Sequence, residues 1–150
     1  MRTVGIVAEY NPFHAGHRHQ IDQTRRALGT CAVAAVMSGN FVQRGDCAIT
    51  DKWKRAAAAL EGGADLVLEL PTVWACASAE VFARGAVAIL QAVGVQALSF
   101  GSESGDAAAL ARAAATLDSG AYRQVLRGYL DRGLPFARCR HLALDRKSVV

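Results

Sequence analysis

Glu9-Tyr10-Asn11-Pro12-Phe13-His14-Ala15-Gly16-His17 follows directly on an apolar run, Thr3-Val4-Gly5-Ile6-Val7-Ala8. The run is too short for a helix and β-branched enough for a buried strand, so strand, turn and helix are expected in that order. Pro12 fixes its own φ and pushes Asn11 towards extended geometry, which places the turn there. Gly16 has no Cβ and lets a ligand approach the backbone at the mouth of the helix. His14 and His17, three residues apart, are expected near the first turn of that helix and on one side of it. A helix N-terminus offers unpaired N–H groups and a partial positive charge, a setting suited to a phosphate.

Outward from this corner the chain keeps one rhythm. A helix over about 16–28, closed by Gly29, leads to a second buried-strand candidate, Cys31 to Met37. A loop from Ser38 to Ile49 precedes a helix whose common face is read as Trp53, Ala56, Ala57 and Leu60. Gly62-Gly63 ends it. Ala64 to Leu70 reads as a third strand stopped by Pro71, a helix from Ser78 to Val93 buries Phe82, Ala86, Ile89 and Leu90, and Gln96 to Phe100 is a fourth strand. Strands alternating with helices of this length imply a doubly wound α/β domain with a parallel sheet covered on both faces. Residues 106–144 read as two helices with apolar stripes at Leu110, Ala113, Ala114 and Leu117, then at Tyr122, Val125, Leu126, Tyr129 and Leu130. Such stripes are packing surfaces, and wherever one lacks its cover, self-association is expected.

At 150 residues the chain is one domain's worth, and with 52% hydrophobic and 20% charged residues it is expected to fold rather than to stay disordered. The apolar stretch near the N-terminus is too short for a signal peptide or a membrane span, so a cytoplasmic protein with no membrane partner is expected. Cys31, Cys47, Cys76 and Cys139 show no paired spacing and read as free thiols. The net charge of +4 is uneven: residues 1–120 hold 10 Lys+Arg against 11 Asp+Glu, residues 121–150 hold 7 against 2. A basic tail can meet nucleic acid, although arginines at 123, 127 and 132 also suit a solvated helix face.

In such a sheet ligands bind beyond the carboxyl ends of the strands, where the strand order reverses. Four loops with polar residues are expected at that edge: the turn with the two histidines; Ser38-Gly39-Asn40-Phe41-Val42-Gln43-Arg44-Gly45, followed by Asp51, Lys52 and Arg55; Glu69-Leu70-Pro71-Thr72; and Phe100-Gly101-Ser102-Glu103-Ser104. Each alone has a plain reading, Asp51 and Arg55 as a helix-surface pair, Ser102 or Ser104 as a cap. Two imidazoles at the first edge can stabilise the charge that builds up when an α-phosphate is attacked, which is nucleotidyl-transfer chemistry. The histidines with His19 read as phosphate ligands and a surface residue rather than a metal site.

The H-x-G-H pattern after a first strand resembles the signature of the nucleotidylyltransferase superfamily. The set VAEYNPFHAGH, MSGNFVQRGD, DKWKRA, GADLVLELP, SAEVFARGAV and FGSE, in this order over residues 1–105, resembles the N-terminal domain of the tRNA(Met) cytidine acetate ligase family. The resemblance implies a Rossmann-like, HIGH-type nucleotidylyltransferase domain. It implies that ATP and acetate form acetyl-adenylate, whose acetyl group passes to the wobble cytidine of elongator tRNA(Met). It further implies that ATP lies along Val7, Ala8, Glu9, Tyr10, Asn11, Pro12, Phe13, His14, Ala15, Gly16, His17, Arg18, His19 and Gln20, with a further contact at Gly101. His14 and His17 take the phosphate-side catalytic role. From the residues themselves, Arg44, Asp51, Lys52 and Arg55 are candidates for contact with acetate, pyrophosphate or tRNA, with Arg44 and Lys52 as the catalytic candidates. Mg²⁺ is expected to help screen the phosphates.

Against this family the chain is short, and residues 1–144 read as the ATP-binding domain without the tRNA-holding region. Asp145-Arg146-Lys147-Ser148-Val149-Val150 is the peptide that results when a common sequencing adapter is translated to a stop, so these six residues are expected to be foreign to the protein's design. Two other functions fit the same corner: a small-molecule adenylyltransferase of the same superfamily, and a non-catalytic nucleotide- or RNA-binding module.

Overall fold

The computed structural model describes residues 1–102 and 105–148, with side chains up to Asp145. The chain divides into two compact units, Met1–Gly101 and Ser102–Val150. One domain over residues 1–144 is the expectation from the sequence; the chain instead forms these two units.

The first unit is a four-stranded sheet with helices on both faces. Its elements are β1 (Arg2–Ala8), α1 (Ala15–Leu28), β2 (Cys31–Ser38), α2 (Lys52–Glu61), β3 (Leu66–Leu70), α3 (Thr72–Ala75), α4 (Ala79–Ala92) and β4 (Ala97–Leu98). All pairings are parallel and the order is β3-β2-β1-β4. The chain therefore steps outward from β1 to β3 and returns to the other side of β1 for β4. The reversal falls between β1 and β4.

Side chains alternate along the strands and divide the core in two. Val4, Ile6, Val33, Ala35 and Met37 face Ile21 of α1 and Ala59 of α2. Ala34, Val36 and Leu70 face Ala75 of α3 and Ala86 and Leu90 of α4. β1 and β2 contain little besides apolar residues because both faces are covered. Gly5 is small for a reason: a Cβ there would lie 2.7 Å from Leu90 Cδ1.

Several boundaries differ from the sequence reading. β3 starts at Leu66, and β4 is two residues long where a five-residue strand was expected. The four-residue α3 carries too few residues for any period to show. α2 turns a different face inward: Arg55 and Ala59 are buried, whereas Trp53 is 74% exposed and Leu60 is exposed. An apolar period cannot reveal that an arginine leads the buried face.

Among its described residues the second unit contains three helices where two were expected: α5 (Ala107–Asp118), α6 (Gly120–Leu130) and α7 (Phe136–Ser148). Ser119 ends α5 and caps α6, its Oγ accepting from Tyr122 N–H at 3.1 Å. α7 buries Cys139 and Ala143, a stripe too slight to announce a helix. It runs on through Ser148, while Val149 and Val150, like Glu103 and Ser104 of the fourth loop, lie outside the described residues.

Candidate functional site: a histidine-capped cleft at the sheet's carboxyl edge

A cleft of about 400 Å³ opens at the carboxyl end of β1, lined by Val7, Ala8, Glu9, Tyr10, Asn11, Pro12, His14, His17 and Gln20. Its floor is the end of a buried strand, and its wall is the first turns of α1. The chain turns at Asn11-Pro12, whose peptide bond is cis.

His14 is the N-cap of α1, with φ −143° and ψ 175°, and its Nδ1 accepts from Gly16 N–H at 3.1 Å. His17 turns back so that its own Nδ1 accepts from His14 N–H at 3.2 Å. The two form a capping box in which imidazoles stand where a hydroxyl and a carboxylate or amide usually do. A ring nitrogen that accepts carries no proton, so each neutral ring holds its hydrogen on Nε2. The rings stack with centroids 3.7 Å apart and planes 24° apart. Their Nε2–H groups are thus two donors at the positive end of a helix dipole, a set that matches anionic oxygens.

The histidine pair is held from behind. The buried Tyr10 ring meets Phe13 and His17 edge-on, with centroids 5.0 and 4.8 Å away, from a backbone at φ 46°. Burial pushes the Tyr10 phenol up to about 12, so it stays neutral. Burial and then the neighbouring His14 pull the His17 pKa below its ordinary value. His17 therefore favours the neutral form that the capping box requires. Gly16 leaves room for the stack, since a Cβ there would stand 3.0 Å from the His14 ring.

The loops at this edge are tied together through Arg55, which is only 1% exposed. Its guanidinium donates to four main-chain carbonyls: Glu9 O at 2.6 Å, Ser38 O at 3.1 Å, Thr50 O at 3.2 Å and Gly39 O. Desolvation pulls its pKa down, and Glu9, Asp51 and Glu69 hold it up. Arg55 is thus a structural pin joining the ends of β1 and β2, which corrects its reading as an anion ligand. Asp51 is likewise engaged, capping α2 through Lys54 N–H at 3.0 Å and pairing with Lys54 Nζ at 3.1 Å rather than with Arg55. Further ties run from Gln43 N–H to the Glu9 carboxylate at 2.8 Å and from Ile49 N–H to Asn11 Oδ1 at 2.7 Å.

The remaining candidates are dispersed. Lys52 pairs with Glu69 at 2.6 Å and lies 5.3 Å from the Trp53 ring. Arg44 is exposed in the loop between β2 and α2, at φ 74°. Phe13 packs into the core, where a Cβ on Gly62 would strike its ring. Ala15, Arg18 and His19 are exposed on α1 and do not line the cleft. Gly101 is exposed beyond β4. Among the described residues no group of three or more His, Cys, Asp or Glu could hold a metal ion. Among the described residues Glu9 is the one carboxylate in the cleft wall. Thr24 and Ser99, which the sequence reading passed over, bind Gln20 to the segment after β4; Thr24 shares a helix face with Gln20 and His17, the one signal that pointed to it.

The family description HIGH Nucleotidyl Transferase matches residues 1–149. The tRNA(Met) cytidine acetate ligase of Caldicellulosiruptor saccharolyticus is 47% identical over 150 residues, covering 99% of this chain and 38% of that protein. The protein of the same name from Syntrophotalea carbinolica is 57% identical over 118 residues, covering 79% of this chain and 28% of that one. A crystal structure of Thermotoga maritima TmcAL superposes with a TM-score of 0.92 at 45% identity, over 98% of this chain and 36% of that one. A second, bound with alpha-thio ATP, superposes with a TM-score of 0.91. The chain spans between 28% and 38% of the length of these relatives. It belongs to the HIGH nucleotidyl transferase family, with tRNA(Met) cytidine acetate ligases as its matching relatives.

Proposed function

We propose that this chain is the ATP-binding part of an acetate ligase that acetylates the wobble cytidine of elongator tRNA(Met). The observation that carries the reading is the pair of Nδ1-anchored imidazoles in the cleft wall at the start of α1. Kinship with named ligases of this kind supports the substrates.

In the first step an acetate oxygen attacks the α-phosphorus of ATP, the bond to the β-phosphate oxygen breaks, and pyrophosphate leaves. His14 and His17 donate their Nε2 hydrogens to the phosphate oxygens on which charge grows. Arg44, from the segment between β2 and α2, and Lys52, at the start of α2, meet pyrophosphate or acetate. If Mg²⁺ accompanied the nucleotide, Glu9 would be the carboxylate available to it among the described residues lining the cleft, and the ion would supply neutralisation of the phosphate charge. In the second step the cytidine amine attacks the acetyl carbon, AMP leaves, and the amine loses a proton. Proximity supplies most of that step, since the amine is a weak nucleophile.

The test joins this sequence to the remaining length of the T. maritima protein and measures ATP–pyrophosphate exchange with and without acetate. Acetate-dependent exchange is expected. Exchange that ignores acetate but follows a phosphorylated cofactor precursor identifies a small-molecule adenylyltransferase instead.

A further inference from the structure

β4 is held to β1 by little main chain. Ala97 and Leu98 pair with Val4 and Gly5, flanked by hydrogen bonds from Gln96 N–H to Thr3 O and from Ser99 N–H to Gly5 O, both 2.9 Å. The segment that follows leaves the sheet, so its placement depends on side chains. Gln20 Nε2 donates to Ser99 O at 3.0 Å and, more weakly, towards Ser99 Oγ at 3.5 Å. Thr24 Oγ1 donates to Gln20 O at 2.8 Å and lies 2.6 Å from Ser99 Oγ. A hydroxyl has one hydrogen; with that of Thr24 given to Gln20, the Ser99 hydroxyl donates to Thr24. The circuit is closed and directional. Thr24 is 6% exposed, so water does not readily replace a broken link.

This circuit also fixes the Gln20 amide. Both Ser99 groups facing it call for a donor, so Nε2 is committed and Oε1 is left as an acceptor on a cleft-lining residue. Gln20 stands one turn along α1 from His17, at the reversal between β1 and β4 where a doubly wound sheet takes its ligand. We propose that Gln20, Thr24 and Ser99 form a latch that positions the nucleoside half of ATP. The histidines hold the triphosphate, while the latch ties the cleft-lining Gln20 to the segment after β4 and leaves its Oε1 for a donor group of the nucleoside. The proposal rests on the reading of the cleft as an ATP site. Gln20 is the contact; Thr24 and Ser99 are positioning residues.

The test is calorimetric titration of this chain and its variants with ATP and with tripolyphosphate, which lacks the nucleoside. Thr24→Val is expected to raise the Kd for ATP about tenfold, the effect of losing one sheltered hydrogen bond, and to leave that for tripolyphosphate unchanged. Ser99→Ala should do the same, whereas Thr24→Ser, which keeps the hydroxyl, should retain the ATP affinity. Equal weakening of both ligands would mean that the hydroxyls only support the fold, and unaltered ATP binding would mean there is no latch; either overturns the proposal. A wild-type chain that binds tripolyphosphate as tightly as ATP also overturns the latch, leaving the triphosphate site standing. Binding of neither overturns the ATP site itself.

Discussion

His17 has two tasks that one substitution can separate. Its Nδ1 caps α1 and its Nε2–H is a donor in the cleft. In His17→Gln the amide oxygen can still accept from His14 N–H, as the third residue of a capping box does, so the thermal midpoint should move by only a few degrees. The phosphate donor is displaced, and ATP affinity should fall roughly ten- to a hundredfold, the range for a hydrogen bond to a charged group. The pH dependence has a definite sign. Because the folded His17 pKa lies below its ordinary value of 6.5, the unfolded chain takes up a proton first as pH falls. Stability is therefore lost on going below about pH 6.5 and regained above it, and denaturant titrations at pH 7.5 and 5.5 should differ less in His17→Gln than in wild type. Arg55 offers the contrasting case. Arg55→Ala leaves a cavity and strips the carbonyls of Glu9, Ser38, Gly39 and Thr50 of their donors, so urea unfolding should show a loss of about 3 kcal/mol or more. Charge counting misreads such a residue, because an arginine beside a loop with glycines and amides looks like an anion ligand. Only the fold reveals that backbone carbonyls have claimed it.

Strands and helices were legible wherever burial is two-sided or a cap is written into the chain. β1 and β2 are continuous apolar runs, Gly29 closes α1 at φ 73°, and Ser78 caps α4. β4 was over-read because Ser99 and Phe100 continue a β-like pattern although the residue pairing ends at Leu98 and only Ser99 N–H still reaches β1, at Gly5 O. α7 was missed because charged residues are interspersed through it and its buried stripe amounts to Cys139 and Ala143. Packing between elements also depends on what is absent. Gly85 lies in the middle of α4, where alanine would ordinarily favour the helix by about 1 kcal/mol. Here a Cβ would collide with the Trp74 indole of α3, a rigid ring with no easy retreat. Gly85→Ala should therefore lose stability, by about 1–2 kcal/mol net of the propensity gain, as chemical denaturation would show. A stabilised variant would mean that α3 is free to move away from α4.

Over the whole molecule the candidate site depends on topology more than on any single motif. Parallel pairing brings the ends of β1, β2, β3 and β4 to one edge, and thereby gathers residues as distant as Glu9, Arg55 and Ser99. That gathering was legible from the strand–helix alternation; the hydrogen bonds from Gln20 to Ser99, from Gln43 to Glu9 and from Arg55 to Glu9 were not, since each joins residues more than 30 positions apart. The first unit exposes Phe41, Ile49, Trp53, Val73 and Phe100. Isolated apolar side chains on a surface are ordinary, but this number of large ones predicts self-association, which light scattering at rising concentration should register as growing mass. A constant monomer mass would contradict that. The central claim is that the two stacked imidazoles mark a triphosphate site, and calorimetric titration of ATP into this chain and into its His17→Gln variant tests it most directly. The account predicts one ATP per chain with wild type and at least tenfold weaker binding in the variant at nearly unchanged thermal stability. Binding of equal strength in both, or no binding to wild type, would contradict it.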